Sequence, residues 1–257
     1  MIGIFDSGVG GLSVFREIRN ILPQESYIYY SDSANCPYGT KSKEFIIGRA
    51  REITEYLISE GADIIVIACN TATAAAIKTL RSEYQIPFIG MEPAIKPAVA
   101  MTRTGTIGVL ATAGTLTAEK YRDTREKFAD DVKVVEHIGQ GFVELVENGK
   151  TSGNEAENTV SDSLRPLLEG GADVIVLGCT HYPFLTDVIS KVSERLAPGK
   201  GVTIINPAPA VARHLHDVMN ERSLIKNEGF RIKLVDSGDE SHLKDFFYRY
   251  SCPTTSK

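Results

Sequence analysis

A nine-residue segment occurs twice in the chain: Gly61-Ala62-Asp63-Ile64-Ile65-Val66-Ile67-Ala68-Cys69 returns as Gly171-Ala172-Asp173-Val174-Ile175-Val176-Leu177-Gly178-Cys179, with an offset of 110 at every position. In both copies a glycine precedes an apolar run of strand length, and a cysteine closes that run. A second echo pairs Ile2-Gly3-Ile4-Phe5 with Ile107-Gly108-Val109-Leu110 at an offset of 105. Repetition on this scale constrains architecture before any single residue does. It predicts two related units, one formed by residues 1–92 with 205–257, the other by residues 93–204. Strand-like and helix-like segments alternate within each. Such alternation predicts an α/β class with mainly parallel sheets covered by helices. The two units are expected to be pseudo-symmetric, with an active site in the cleft between them.

Strands are expected at Ile2–Phe5, Ser26–Ser31, Ile64–Ala68, Phe88–Met91, Ile107–Leu110, Val132–Glu136, Val174–Leu177, Val202–Ile205 and Ile232–Val235. An amphipathic helix is expected over Glu44–Glu60, stopped by Gly61. The longest apolar run, Ile64 to Cys69, is far shorter than the ~20 residues of a membrane helix. With 28 basic and 33 acidic side chains the formal charge is −5, and no window concentrates Lys and Arg. A cytoplasmic protein without nucleic acid or membrane partners is expected.

Four cysteines, Cys36, Cys69, Cys179 and Cys252, lie more than thirty residues apart. No CxxC pair is present, which argues against a disulfide scaffold and a cysteine zinc site. Two of the four occupy the matched ends of the repeated strands. The carboxyl ends of parallel strands are where open α/β sheets bind ligands. Asn70 or Thr71 is placed to cap a following helix, and Pro183 suits the first turn of another, so backbone N–H groups are expected there. A helix N-terminus attracts anions and favours the thiolate form of a cysteine. Two acid/base groups on opposite faces of one bound carbon would remove a proton from one face and return one to the other. The symmetric pattern thus points to inversion of a stereocentre. Asp6, ending the first strand, is placed to assist Cys69, and His181 follows Cys179 by two residues; a helix cap and a turn histidine are their structural alternatives. His137, His214, His216 and His242 are read as surface or core residues, and Cys36 and Cys252 as inert thiols.

Other signatures fail. Gly8-Val9-Gly10-Gly11 follows a strand, but Ser13 stands where a GxGxxG fingerprint requires glycine. There is no Walker loop and no GxSxG elbow, and no ligand set with metal spacing accompanies Cys179-Thr180-His181. No lysine lies in a motif demanding pyridoxal phosphate, so activity without cofactor or metal is expected. The polar turn Asp32-Ser33-Ala34-Asn35-Cys36-Pro37-Tyr38-Gly39 reads either as a substrate loop or as a surface turn.

Taken in order, the segments from Ile2 to Gly11, Pro37-Tyr38-Gly39, Ala68 to Thr73, Glu92-Pro93-Ala94 and Leu177 to Pro183 resemble the bacterial glutamate racemases of the cofactor-independent aspartate/glutamate racemase superfamily. The resemblance runs nearly end to end. It implies a two-domain α/β fold, interconversion of L- and D-glutamate, and supply of D-glutamate for peptidoglycan by an expected homodimer. By the same resemblance, Cys69 would exchange the α-proton on the face used by D-glutamate with help from Asp6. Cys179 would serve the face used by L-glutamate with help from His181, and Glu147 stands where the family often has a carboxylate near the second thiol. Asp6, Ser7, Tyr38, Gly39, Asn70, Thr71, Thr73, Thr180 and His181 would contact the amino acid. The chain departs from the family in Gly139-Gln140-Gly141-Phe142, in Ile205–Ala212 and in Val235–Asp239. A racemase of aspartate or another acidic amino acid, and a small-anion-binding protein without catalysis, are the competing readings.

Overall fold

The computed structural model describes residues 1–250; Cys252 lies outside them. The chain divides into two compact units, Met1–Met91 continued from Ala208 onward, and Glu92–Pro207. Strand Thr203–Ile205 pairs throughout with Val174–Val176, so a boundary drawn at 204/205 would cut it.

The first unit runs β1 (Ile2–Asp6), α1 (Leu12–Ile21), β2 (Ser26–Ser31), α2 (Lys43–Ser59), β3 (Ile64–Ile67), α3 (Asn70–Glu83) and β4 (Phe88–Gly90). The second follows with α4 (Ile95–Met101), β5 (Thr106–Ala111), α5 (Ala113–Leu116), α6 (Glu119–Phe128), β6 (Lys133–Ile138), α7 (Phe142–Glu147), α8 (Asn154–Glu169), β7 (Val174–Gly178), α9 (Thr186–Leu196) and β8 (Thr203–Ile205). The chain then re-enters the first unit as α10 (Ala208–Glu221), β9 (Arg231–Asp236) and α11 (Glu240–Tyr250).

The first sheet has the order β4-β3-β1-β2-β9 and the second β6-β5-β7-β8. Every pairing in both is parallel. Reversed, the second order reads β8-β7-β5-β6 and repeats β4-β3-β1-β2 strand for strand. The repeat extends to register, because Phe5 faces Ile67 in the first sheet and Leu110 faces Leu177 in the second. These are the positions that the offsets of 105 and 110 equate. β9 and α11 have no counterpart in the second unit; β9 pairs with β2.

The near-continuous apolar character of β1, β3, β5 and β7 follows from their position. Every residue of these four strands is buried, as parallel strands covered on both faces require. In the first unit Phe5, Ile28, Ile53, Leu57, Ile65, Ile67 and Leu80 form one buried cluster. In the second, Ile95, Ile107, Val109, Tyr121, Val174 and Val176 do the same. Each such side chain contributes about 1.5–3 kcal/mol when removed from water. Both repeated glycines stop the preceding helix with left-handed backbone, φ 90° at Gly61 and 98° at Gly171, a conformation that glycine adopts without steric cost.

The repeated aspartates tie down the opposite, amino ends of the sheets. Asp63 pairs with the N-terminal amine and with Lys226 Nζ at 2.7 Å. Asp173 accepts from Thr102 Oγ1 at 2.5 Å and from the backbone N–H groups of Arg103 and Thr104 at 2.8 and 3.2 Å. Strand ends differ slightly from the sequence reading: β6 runs on to Ile138 because pairing with β5 continues to Ala111, and β4 stops at Gly90 because Met91 N–H donates to Thr73 Oγ1. No helix among the described residues is long and apolar enough to cross a membrane.

Candidate active site

Each unit carries one thiol at the carboxyl end of a central strand. In the first unit, β1 and β3 are neighbours, and Ala68 N–H donates to Phe5 O at 2.9 Å. Asp6-Ser7 and Cys69-Asn70 therefore leave adjacent strands side by side. Asn70 or Thr71 was the expected cap of the following helix; the structure instead starts α3 at Asn70 and gives the cap to Cys69, whose Sγ accepts from Ala72 N–H at 3.4 Å. A sulfur at that position faces the positive end of the helix. The Cys69 thiol also points to Ser7 Oγ at 3.8 Å.

Asp6 is fully buried, and its Oδ2 accepts from Gly8 N–H at 3.1 Å. It does not cap α1, which begins at Leu12 behind Gly11. Gly11 has a reason of its own: a Cβ there would lie 2.6 Å from Asp6 Cβ and 2.7 Å from Tyr29 Oη. The glycine-rich turn thus lets the helix close over the carboxylate. Asn70 Oδ1 is buried and has no hydrogen-bond partner among the described residues, so this acceptor can take a ligand N–H. Thr73 is committed elsewhere, its hydroxyl donating to Ile67 O at 3.0 Å while accepting from Met91 N–H. Thr71 is buried in the first turn of α3, and Tyr38 and Gly39 belong to a 3₁₀ turn, Tyr38–Thr40.

The second unit breaks the symmetry. By register, Ala111 and Thr112 stand where Asp6 and Ser7 stand in the first, so β5 offers Cys179 no carboxylate. An imidazole takes its place. His181 Nδ1 lies 3.7 Å from Cys179 Sγ, and Nε2 lies 2.7 Å from Glu147 Oε1 at the end of α7. His181 is 2% exposed and Cys179 8%. Burial alone would lower the imidazole pKa, but the hydrogen bonds and charges of Cys179 and Glu147 outweigh it, so it is raised well above the ordinary value. An imidazole that favours its protonated form beside a thiol is an arrangement capable of proton exchange with the sulfur. Thr180, between the two in sequence, is 3% exposed.

Residues 2–215 match the family described as Asp/Glu/hydantoin racemase. The chain belongs to this family. It is similar to a glutamate racemase from Herpetosiphon aurantiacus, 44% identical over 243 residues that cover 94% of each chain. Among solved structures it is similar to a glutamate racemase isoform from Bacillus anthracis, with a TM-score of 0.86 and 34% identity over 97% of this chain and 93% of the other. A glutamate racemase from Francisella tularensis, solved in complex with D-glutamate, superposes with a TM-score of 0.79 at 30% identity, covering 96% and 93%. The protein is a racemase, and hence an isomerase.

For a racemase of this family, the Glu147–His181 pair gives a pH signature. Because the folded-state pKa of His181 is raised, its charge contributes stability that is whole below about 6.5 and lost as pH climbs through the folded value. Glu147→Gln removes one of the two groups that hold the proton. The alkaline limb of the pH–rate profile is therefore expected to move to lower pH in this variant, with the loss of stability following it. An unmoved alkaline limb in Glu147→Gln would separate this pair from the chemistry. Sequence order alone does not reveal the pair, since Glu147 and His181 are 34 positions apart and meet only because α7 ends beside the turn that follows β7.

Proposed function

We propose that this racemase interconverts L- and D-glutamate by proton transfer at two thiols. The observation that carries the reading is the repeated placement of a buried cysteine at the carboxyl end of a central strand, with an acid/base partner in its own unit. On this reading Cys179 exchanges the α-proton of L-glutamate and Cys69 that of D-glutamate. One sulfur is thiolate while the other carries a proton, and each turnover exchanges these states.

The α-proton is weakly acidic, so developing charge on the substrate must be met by donors already in place. The buried N-terminus of α3, with Thr71, and the Thr180 segment supply hydrogen-bonding groups of the right kind, while Asn70 Oδ1 suits the α-ammonium. Asp6 and His181 hold and return the protons of their own thiols. The names of the relatives support glutamate as the substrate. With that activity goes supply of D-glutamate for peptidoglycan in the cytoplasm.

In deuterium oxide, L-glutamate is expected to incorporate deuterium at Cα as D-glutamate forms, without added cofactor. L-aspartate should be turned over far more slowly. Faster turnover of aspartate would transfer the activity to that substrate, and glutamate binding without deuterium uptake would favour a binding protein.

A further inference from the structure

The Asp32–Gly39 turn, open between two readings in the sequence, is built around a buried ion pair. Asp32 follows β2 as Asp6 ends β1, and its N–H donates to Asp6 O at 3.0 Å. Its side chain is fully buried, whereas that of Arg49 on α2 is one-fifth exposed. Arg49 grips the carboxylate with two bonds, Nη2 to Oδ1 at 2.7 Å and Nε to Oδ2 at 3.0 Å. Asn35 Nδ2 reaches both oxygens at 3.1 Å, and the Tyr38 hydroxyl donates to Oδ2 at 2.5 Å. Burial would raise the Asp32 pKa, yet Arg49, Tyr38, Ser237 and Asn35 hold it below the ordinary carboxylate value. From the other side, Ser33 bonds to Asp236, and Ala34 N–H donates to Ser237 Oγ at 3.2 Å, both acceptors lying at the end of β9.

Tyr38 is 1% exposed and belongs to the same buried cluster as Cys69 and Ala72. Its hydroxyl is committed to Asp32. The first N–H groups of a 3₁₀ turn, by contrast, have no partner within the turn. We propose that Asp32 and Arg49 are positioning residues for the reaction: through the Tyr38 hydroxyl they fix the Tyr38–Thr40 turn beside Cys69, so that the backbone of the turn, and not the hydroxyl, meets the substrate. This rests on the reading of Tyr38 and Gly39 as substrate contacts. A planar guanidinium suits the task because it matches a carboxylate with two bonds, which an ammonium cannot do.

The test is a double-mutant cycle on KM and kcat for both enantiomers. Asp32→Asn loses the ion pair, and its KM is expected to rise about tenfold or more, the scale of a lost charged hydrogen bond, with kcat within about threefold of wild type. Arg49→Lys should move KM in the same direction. Tyr38→Phe should also raise KM, and the double variant Asp32→Asn/Tyr38→Phe should be no worse than Asp32→Asn alone, because both changes cut one linkage. Multiplying losses would show the hydroxyl acting independently of Asp32 and overturn the proposal. So would a fall in thermal stability with KM unchanged, or a loss confined to kcat. Should Asp32→Asn fail to fold, the cycle of Arg49→Lys with Tyr38→Phe makes the same decision. Wild-type turnover tests the choice of glutamate separately; if another acidic amino acid is preferred, the same ratios are read with that substrate.

Discussion

Replacing Cys69 by alanine is expected to lower racemisation by at least about a thousandfold, and replacing Cys179 should do the same. A positioned acid or base contributes about 10²–10⁴ to a proton transfer, and inversion requires both transfers in every turnover. The difficulty is to separate chemistry from folding, since Cys69 Sγ also caps α3 through Ala72 N–H. Losing a cap costs about 1 kcal/mol, which lowers the melting temperature of a chain of this size by only about 2–4 °C. Serine makes the separation sharper. Its oxygen is a better cap acceptor than sulfur, so Cys69→Ser should melt at or above the wild-type temperature, yet its hydroxyl is a far weaker acid than a thiol and should leave the enzyme inactive. Retention of more than about a tenth of wild-type turnover in either alanine variant would end the two-thiol mechanism.

The matching strand-end positions of the two thiols were legible in the sequence because parallel β/α units set such positions by strand register, and register is encoded in the apolar run that precedes each cysteine. Asp6 was visible for the same reason, since it ends β1 beside Cys69. What the repeat could not show was its own failure at Ala111. Where the first unit has a strand-end carboxylate beside its thiol, the second has His181, whose far nitrogen meets Glu147 on a separate helix, a contact made by tertiary packing across 34 residues. Arg49 was invisible on similar grounds: it sits on an amphipathic helix, where an arginine ordinarily faces solvent. Only the fold shows its guanidinium turned onto a buried carboxylate. The cap on α3 also escaped local reasoning, because asparagine and threonine are strong cap formers and cysteine is not.

His181→Asn is expected to reduce turnover by about 10²–10³, and isotope effects decide which thiol the histidine serves. L- and D-glutamate have equal free energy, so kcat/KM must remain equal in the two directions in every variant; the ratio of these two constants therefore cannot reveal a lesion on one side. Isotopic substitution at Cα can. If removing the imidazole slows proton transfer at Cys179, abstraction from L-glutamate becomes rate-limiting, and the primary effect with α-deuterated L-glutamate should rise. In the opposite direction, abstraction by Cys69 comes before the slow step. The effect with α-deuterated D-glutamate should fall, and a solvent isotope effect should replace it. Asparagine retains hydrogen-bonding groups near the position of Nδ1, 3.7 Å from the sulfur, but cannot carry the proton. Lost turnover with both effects unchanged would leave His181 a packing residue. A rise with D-glutamate in place of L-glutamate would exchange the faces assigned to Cys69 and Cys179 while keeping the two-thiol chemistry.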